Sequence, residues 1–307
     1  MTQMPLRSYR PALPPLSSEQ AEIRDHLAAH VKYLTQTIGE RNLSRPGTLP
    51  ATLDYLRRSL QEDGYTTTDQ VFQVEGQQVS NLEVIVPGSG STETIVVGAH
   101  YDTAADAPGA NDNGSGVAGV LELARLLHGN KLRRTVRLVL FTNEEPPYFQ
   151  TDNMGSVVYA RQLRKDHVTV SAMISLETIG YYSDTAGSQK YPALLGLFYP
   201  NRGNFVGFVA NPESRDLVRR AVRTFRQSAE FPSEGIAAPA VWPGIGWSDQ
   251  WSFWQQQYPA IMITDTAPFR YSYYHTPSDT ADHVDFDKMA RVVDGIQQVV
   301  KSLAMER

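Results

Sequence analysis

Charged side chains follow two apolar runs of the sequence at the point where each run ends. His100 and Asp102 come directly after the run at 94–99 (TIVVGA), and Glu177 follows the run at 170–176 (VSAMISL). Short continuous apolar runs are typical of buried central strands, and ligands of open α/β sheets lie beyond the carboxyl ends of such strands. His100 could bind a metal through one ring nitrogen while Asp102 accepts a hydrogen bond from the other.

Two adjacent carboxylates, Glu144 and Glu145, follow a third apolar run at 135–142 (TVRLVLFT) and precede two prolines. Neighbouring buried carboxylates repel each other and resist ionising together, and a divalent cation would remove that difficulty. One glutamate would then bind the metal while the other moves protons. A solvated loop is the alternative.

Asp112 lies in a loop of turn-forming residues, PGANDNGSG, just before a predicted helix. Its carboxylate could cap that helix or bridge two metal ions, and the residues alone leave both interpretations open. In the segment YYHTPSDT, His275 can supply a second imidazole, and Tyr274 could donate its hydroxyl to a developing oxyanion. The other five histidines lie in helical or loop contexts without acidic companions for a metal site and are expected to be structural or on the surface.

Strands and helices must alternate to bring these residues together. The sequence predicts an antiparallel pair of strands, then alternating strands and helices, and hence a three-layer α/β sandwich with a mixed, mostly parallel sheet between helices. Strands are expected at 66–75, 79–87, 94–99, 135–142, 170–176 and 260–264. Helices are expected at 18–38, 49–60, 115–128, 155–164, 213–228, 249–256 and 286–303.

One domain is expected over residues 1–307, since neither an internal repeat nor a linker is evident. Residues 1–16 are interpreted as an extended lead-in because of their prolines. Residues 181–212 lack a clear period and are interpreted as a surface excursion near the active site.

Composition limits the classes of function. A net charge of −5 offers no electrostatic basis for binding nucleic acid or an anionic membrane. The chain has no cysteine, so any metal must be held by histidine and carboxylate, which suits catalytic zinc. The N-terminal segment has no apolar run of signal-peptide length, and a cytoplasmic location is the expectation. Export of a trimmed form and the oligomeric state stay open.

Taken in order, five segments resemble the M28 family of zinc peptidases: HYD at 100–102, GANDNGSGV, TNEEPP, SLETIGYY and YYHTPSDT. The resemblance implies an aminopeptidase-like α/β fold, a peptide substrate and two co-catalytic Zn²⁺ ions, which other divalent ions could replace. It places Asp112 between the ions, with Glu144 as general base and Asp102 as the partner of the first histidine. His100 and Glu177 would complete one metal site, and Glu145 and His275 the other.

Two positions depart from the family pattern. Many aminopeptidases of the family have Asp where this chain has Glu177, and glutamate also occurs in relatives that trim from the other end of a peptide. Gln250 stands in Ser248-Asp249-Gln250 where relatives often have histidine. Glutamine neither titrates nor readily binds zinc, but the five ligand positions do not depend on it.

Three alternatives to an aminopeptidase remain. A metallocarboxypeptidase could use the same centre, with Arg202, Arg215 or Arg270 holding the substrate carboxylate. A glutaminyl cyclase-like enzyme is related in fold, and a catalytically inactive binding domain belongs to another class. The two-metal set and the retained Glu144 favour a hydrolase over the last two.

All four tryptophans fall between residues 242 and 254. Packing in the core is the preferred interpretation, because Trp251 and Trp254 lie three residues apart on one helix face. The alternative is an aromatic wall of a substrate pocket, formed by Trp247 with Tyr181, Tyr182 and Tyr199.

Overall fold

The computed structural model describes residues 3–306, and of residues 193 and 194 the backbone only. An eight-stranded sheet forms its centre, in the order β1-β2-β4-β3-β5-β8-β6-β7. The strands are β1 Thr68–Val74, β2 Gln77–Val86, β3 Thr94–His100, β4 Thr135–Phe141, β5 Val170–Glu177, β6 Val206–Ala210, β7 Ser233–Ala237 and β8 Ala260–Thr264.

Four strand pairings are parallel, namely β3 with β4, β3 with β5, β5 with β8, and β6 with β7. Three are antiparallel, namely β1 with β2, β2 with β4, and β6 with β8. The parallel strands β4, β3, β5 and β8 therefore end at the same edge of the sheet. His100 and Glu177 are the last residues of β3 and β5.

Helices cover both faces of the sheet. The helices are α1 Ser18–Lys32, α2 Thr48–Glu62, α3 Gly116–Leu127, α4 Gly155–Lys165, α5 Arg215–Ser228, α6 Gln250–Gln255 and α7 Phe286–Met305. Helices α1, α2, α3, α5 and α7 pack on one face in a single apolar cluster, and α4 and α6 pack on the other. Successive residues of a strand alternate between these clusters, as Ile95 and Val96 do. The predicted three-layer α/β sandwich is confirmed.

Local sequence explains where the helices begin and which face they bury. Ser17 accepts a hydrogen bond from the N–H of Gln20 at 3.1 Å and caps α1, while Asp285 caps α7 through the N–H of Lys288 at 3.0 Å. Helix α3 is mostly apolar, apart from the paired Glu122 and Arg125, because it lies between the sheet and helices α1 and α7. Helix α1 continues to Ile38 as a π-helical turn, so the predicted 18–38 segment is helical throughout.

The interpretation of 181–212 as a surface excursion is wrong for its last part. Residues 206–210 form β6, whose five residues are all buried between β8 and β7. Strand β7 was also not predicted. Both strands have only five residues and contain a glycine, and a strand buried on both faces shows no alternation, so neither carries a periodic signal.

Residues 3–16 form neither helix nor strand and run past the edge strand β7, as an extended lead-in would. Ser8 accepts a hydrogen bond from the N–H of Ser233 at 2.9 Å. Within the described chain, no helix combines the length and the apolar character needed to cross a membrane.

Candidate metal centre

His100 presents its Nε2 atom to three carboxylates. Nε2 lies 3.1 Å from Glu177 Oε2, 3.6 Å from Asp112 Oδ1 and 3.7 Å from Glu144 Oε2. On the other side of the ring, Nδ1 lies 3.2 Å from the carbonyl oxygen of Asp102. Because a carbonyl only accepts, Nδ1 carries the proton and the Nε2 lone pair faces the carboxylates. Two electron-rich atoms 3.1 Å apart need a cation or a proton between them.

A second group of donors forms around His275. Its Nε2 atom lies 3.0 Å from Asp112 Oδ2 and 3.2 Å from Glu145 Oε1. Both of these oxygens are buried and neither accepts a hydrogen bond. A buried carboxylate oxygen without a partner is costly. Asp112 thus directs one oxygen to each histidine, so the two groups share it.

The donor set fits divalent cations. His100, Asp112 and Glu177 form one group, and Asp112, Glu145 and His275 another, with the ligand atoms of each within 4.8 Å of one another. Ligand atoms on a tetrahedral zinc ion with bonds of about 2.1 Å lie roughly 3.4 Å apart. The observed separations of 3.0 to 3.6 Å bracket that spacing.

Negative charge accumulates in this buried site. Burial, with the carboxylates of Glu145 and Glu177 adding to it, raises the pKa of Glu144 well above its usual range. Burial and the charge of Asp112 raise the pKa of Glu145 to about 7. Asp249 is fully buried beneath the site, neither of its oxygens accepts a hydrogen bond, and burial raises its pKa to about 7. The protein holds more carboxylates here than its own cations neutralise.

The two histidines respond in the opposite direction. Burial alone would lower the pKa of His100, but the charges of Glu144 and Glu177 outweigh it and raise that pKa well above its usual range. Burial also opposes the shift at His275, yet Asp112 and Glu145 raise its pKa to about 10. Positive charge is therefore strongly favoured at both positions.

Asp102 acts differently from the prediction. Its carboxylate lies 3.6 Å from His100 Nδ1, too far for the expected hydrogen bond. Instead its two oxygens each accept a backbone N–H at 3.0 Å, one from Glu144 and one from Glu145. Asp102 orients His100 through its carbonyl group and holds the Glu144–Glu145 turn through its side chain.

Tyr274 lies beside the candidate metal centre. Its ring stacks on His275 with centroids 3.9 Å apart, and it lines a pocket together with Glu177. Burial, followed by the charge of Asp112, raises the pKa of Tyr274 strongly. Its hydroxyl therefore keeps its proton and can donate a hydrogen bond.

Asp279 supports the loop that carries Asp112, and sequence reasoning missed it. Its carboxylate accepts the backbone N–H of Asn111 at 2.8 Å and of Asp112 at 3.0 Å, and the hydroxyl of Tyr271 at 2.7 Å. Asp279 stands four residues after His275 in the YYHTPSDT segment. That proximity was the signal that could have identified it.

Two further residues fix the ends of the site. Ser248 donates a hydrogen bond from Oγ to Glu177 Oε2 at 2.7 Å, so the Ser248-Asp249-Gln250 segment supports the Glu177 carboxylate through its serine. Asn113 ties the Asp112 loop to the end of β5, because its Nδ2 donates to the carbonyl of Leu176 at 2.8 Å and its Oδ1 accepts from the N–H of Thr178 at 3.0 Å.

Arg41 is a buried cation close to the site, and no pattern in the sequence pointed to it. It is fully buried and donates to five backbone carbonyls, those of Leu34, Gly39, Tyr101, Pro108 and Gly109. Burial lowers its pKa to about 10, and the charges of Asp279, Asp102 and Asp112 oppose that shift. Arg41 thereby anchors the loop between β3 and Asp112 to the turn that follows α1.

Two expectations about aromatic residues and histidines were incomplete. Trp254 is buried, as expected for core packing, but Trp247 is 45% exposed and lines the pocket beside Glu177. Tyr199 lines the same pocket. His26 was expected to lack an acidic companion, yet its Nδ1 lies 3.2 Å from the buried carboxylate of Glu122.

Similarity to known proteins agrees with this geometry. The model of peptidase family M28 matches residues 81–300. The Escherichia coli (strain K12) protein YfbL, described as uncharacterized, is 40% identical over 89% of this chain and 86% of its own length. A probable leucine aminopeptidase of Arthroderma otae is 27% identical over 69% of this chain, which spans about half (54%) of that protein.

Solved structures show the same fold. The zinc aminopeptidase BSAP from Bacillus subtilis superposes with a TM-score of 0.74 at 15% identity, covering 92% of this chain and 95% of BSAP. The glutaminyl cyclase of Porphyromonas gingivalis gives 0.68 at 18% identity, covering 91% and 98%. At these identities the likeness concerns the fold alone. From the family match and the similarity to YfbL, the chain belongs to peptidase family M28, a family of metallopeptidases.

Proposed function

We propose that the chain is a zinc-dependent aminopeptidase that removes the first residue of peptides and holds two Zn²⁺ ions. The observation that carries the proposal is the pair of donor groups that share Asp112, with Asp112 Oδ2 and Glu145 Oε1 buried and without hydrogen bonds. His100, Asp112 and Glu177 would hold one ion, and Asp112, Glu145 and His275 the other. When bound, the ions would supply Lewis-acid polarisation and lower the pKa of water toward neutrality.

Glu144 is the general base of this proposal. Its carboxylate lies beside His100 and forms a third group of donors with His100 and Glu145, but it belongs to neither group that shares Asp112. In this proposal Glu144 therefore takes a proton and does not hold an ion. Asp102 fixes the backbone at Glu144 and thereby the position from which the carboxylate acts. Glu144 would accept a proton from the attacking water and deliver it to the leaving amine.

Tyr274 would stabilise charge on the substrate. Its hydroxyl keeps its proton because of the buried acidic surroundings, and it faces the pocket that Glu177 also lines. A donor at this position can form a hydrogen bond to the oxygen of the scissile carbonyl as negative charge develops there. Burial of the ligands strengthens this interaction by excluding water.

Cleavage at the amino end is favoured by the charges around the pocket. The described residues that line the pocket include no lysine or arginine, but they include the two glutamates Glu177 and Glu234. Arg202 and Arg215 are exposed. Arg270 is buried and donates to Gln189 and to three backbone carbonyls, and although its Nη2 atom has no partner, the residue does not line the pocket. A substrate carboxylate would therefore meet no lysine or arginine in this pocket, which favours cleavage at the amino end over cleavage at the carboxyl end.

The test combines metal analysis with a set of end-blocked substrates. Purified protein should contain about two zinc ions per chain and hydrolyse leucine 4-nitroanilide. Hydrolysis should be lost when the leucine amine is acetylated. Cleavage of peptides blocked at the amino end would favour a carboxypeptidase, and cyclisation of an N-terminal glutamine would favour a glutaminyl cyclase. Tight zinc binding without turnover of any substrate would indicate a catalytically inactive binding domain.

A further inference from the structure

An apolar pocket opens beside the proposed metal centre, between the sheet and the loops over it. We call it the side pocket. It has about 780 Å³ of space, part of which is open to solvent. Its walls are mainly aromatic and aliphatic, and they include Tyr191, Tyr199, Phe205, Ile245, Trp247 and Phe269. Walls of this kind accept an apolar side chain.

The floor of the side pocket is a row of residues from four neighbouring strands. Glu177 of β5 is in register with Thr264 of β8, Thr264 with Gly207 of β6, and Gly207 with Glu234 of β7. Side chains in register on adjacent strands project from the same face of a sheet. Glu177 and Glu234 therefore stand at the two ends of one row, three strand spacings or roughly 14 Å apart.

The middle of this row is open. Gly207 has no side chain, and Thr264 is short, so the space between the two glutamates is not filled from below. The next row of the floor is apolar and consists of Met262, Val209 and Ile236. A side chain that leaves the metal centre along this floor first meets apolar surface and then the carboxylate of Glu234.

The carboxylate of Glu234 forms one long ion pair with the buried Arg226, and the charge of Arg10 also acts on it. Arg226 Nη2 lies 3.7 Å from Glu234 Oε2, whereas the same guanidinium donates to Ser233 Oγ at 3.0 Å and to the carbonyl of Leu6 at 2.9 Å. Within residues 3–306 no hydrogen bond to the Glu234 carboxylate is formed. Its side chain is 24% exposed. A largely buried carboxylate whose ion pair is this long keeps oxygens that can accept hydrogen bonds from a second cation.

We propose that the side pocket binds the first side chain of the peptide substrate and that Glu234 selects lysine or arginine there. This inference rests on the proposed aminopeptidase function. Lysine and arginine combine a long apolar stem with a terminal cation, so the stem would pack on the aromatic walls while the charge reaches Glu234. Tyr199 and Phe205 could add cation–π attraction along the way. Leucine would fill only the apolar part.

Lysine and norleucine 4-nitroanilides test the inference, because norleucine keeps the stem of lysine and lacks its charge. The wild-type enzyme should have a kcat/KM at least tenfold higher for lysine. In Glu234→Gln this ratio should fall by roughly tenfold to a hundredfold, mainly through KM. Glu230→Gln, which removes an exposed carboxylate near the same strand, should keep the wild-type ratio.

Two results would overturn the inference while leaving the aminopeptidase proposal intact. One is a wild-type enzyme that hydrolyses both substrates equally well, and the other is an unchanged ratio in Glu234→Gln. If neither these substrates nor leucine 4-nitroanilide is cleaved, the proposed function fails. Calorimetric binding of L-lysinol and L-norleucinol to the zinc-loaded protein then tests the side pocket separately. Equal affinity for the two amino alcohols would then contradict the role of Glu234.

Discussion

The carboxylate of Asp102 holds the backbone N–H of Glu145 at 3.0 Å, although the two residues come from turns after different strands. Its other oxygen holds the N–H of Glu144 at the same distance. The proposed ligand Glu145 and the proposed base Glu144 are thus positioned by the Asp102 side chain, which forms no hydrogen bond with either imidazole.

Replacing Asp102 by asparagine should weaken zinc binding by about tenfold to a hundredfold. The asparagine amide offers one acceptor where two N–H groups must be satisfied, so the turn loses one of its two bonds. Competition with a chromophoric chelator measures the affinity. Asp106→Asn removes an exposed charge from the same loop and should bind zinc normally. An unaltered zinc affinity in Asp102→Asn would show that the Glu144–Glu145 turn keeps its conformation without the Asp102 carboxylate.

Replacing Glu144 by alanine should separate metal binding from turnover. We expect the zinc content to stay the same while kcat falls by about 10² to 10⁴, the usual contribution of a general base. Metal analysis and steady-state kinetics on one preparation give both quantities. Asp152→Ala, which removes an exposed carboxylate, is the matched control. Near-normal turnover in Glu144→Ala would refute the assignment of the base.

Replacing Asp279 by alanine should destabilise the protein and loosen the loop of Asp112. The change leaves two buried backbone N–H groups and the Tyr271 hydroxyl without an acceptor, at a cost of about 3 kcal/mol. Denaturant unfolding measures the loss, and a parallel zinc titration should show weaker binding. The exposed Asp282→Ala is the control. Lost stability with intact zinc affinity would make Asp279 purely structural.

Removing the metal should lower the melting temperature. The site gathers five carboxylates around two imidazoles, namely those of Asp112, Glu144, Glu145, Glu177 and Asp249. A metal ion present at a hundred times its dissociation constant stabilises the folded state by about 2.7 kcal/mol. For a chain of this size we expect a fall of roughly 5 °C or more in chelator, reversed by added zinc. Calorimetry with and without chelator measures the difference. An unchanged melting temperature would argue against a folded-state metal site.

Stability should fall in mild acid because of His30. Burial, with a smaller effect of His26, lowers the pKa of His30 from its ordinary value of 6.5 to about 4. Between these values the unfolded chain binds a proton that the folded chain does not, so the free energy of unfolding decreases as the pH falls from 6.5 toward 4. The decrease amounts to about 3 kcal/mol and is complete below pH 4.

The His30 contribution can be isolated by comparing pH slopes. Denaturant unfolding of His30→Phe should show a shallower decrease than the wild type between pH 6.5 and 4, even though the variant loses the contact between His30 Nδ1 and the Tyr55 hydroxyl. His167→Asn, at an exposed histidine, should keep the wild-type slope. Identical slopes in all three proteins would place the acid sensitivity elsewhere.

The strand-end residues were accessible to sequence reasoning for a physical reason. His100 and Glu177 each follow a buried strand, and parallel strands end at one edge, so local apolar patterns were enough to bring them together. The family was likewise predicted from five short segments, and that prediction is confirmed. The metal-ligand roles and the two-ion stoichiometry stay predictions.

What sequence reasoning missed depends on contacts between distant parts of the chain. The backbone of Asp112 meets the carboxylate of Asp279 across 167 positions, and Arg41 meets Tyr101 across 60. No local pattern encodes such pairs. Strands β6 and β7, and with them the side pocket, were missed because a glycine interrupts each short run, whereas the equally short but uninterrupted run of β8 was predicted.

The five carbonyls held by Arg41 have a bearing on how small a working enzyme can be. The family match begins at residue 81, yet this guanidinium reaches from the turn after the first helix into the loop that presents a proposed bridging carboxylate. A fragment that begins at the matched region would lack Arg41 and its hydrogen bonds to this loop. It would also expose the apolar surface that α1 and α2 cover. The amino-terminal helices are therefore part of the catalytic unit, and a minimal enzyme cannot be trimmed to the family boundary.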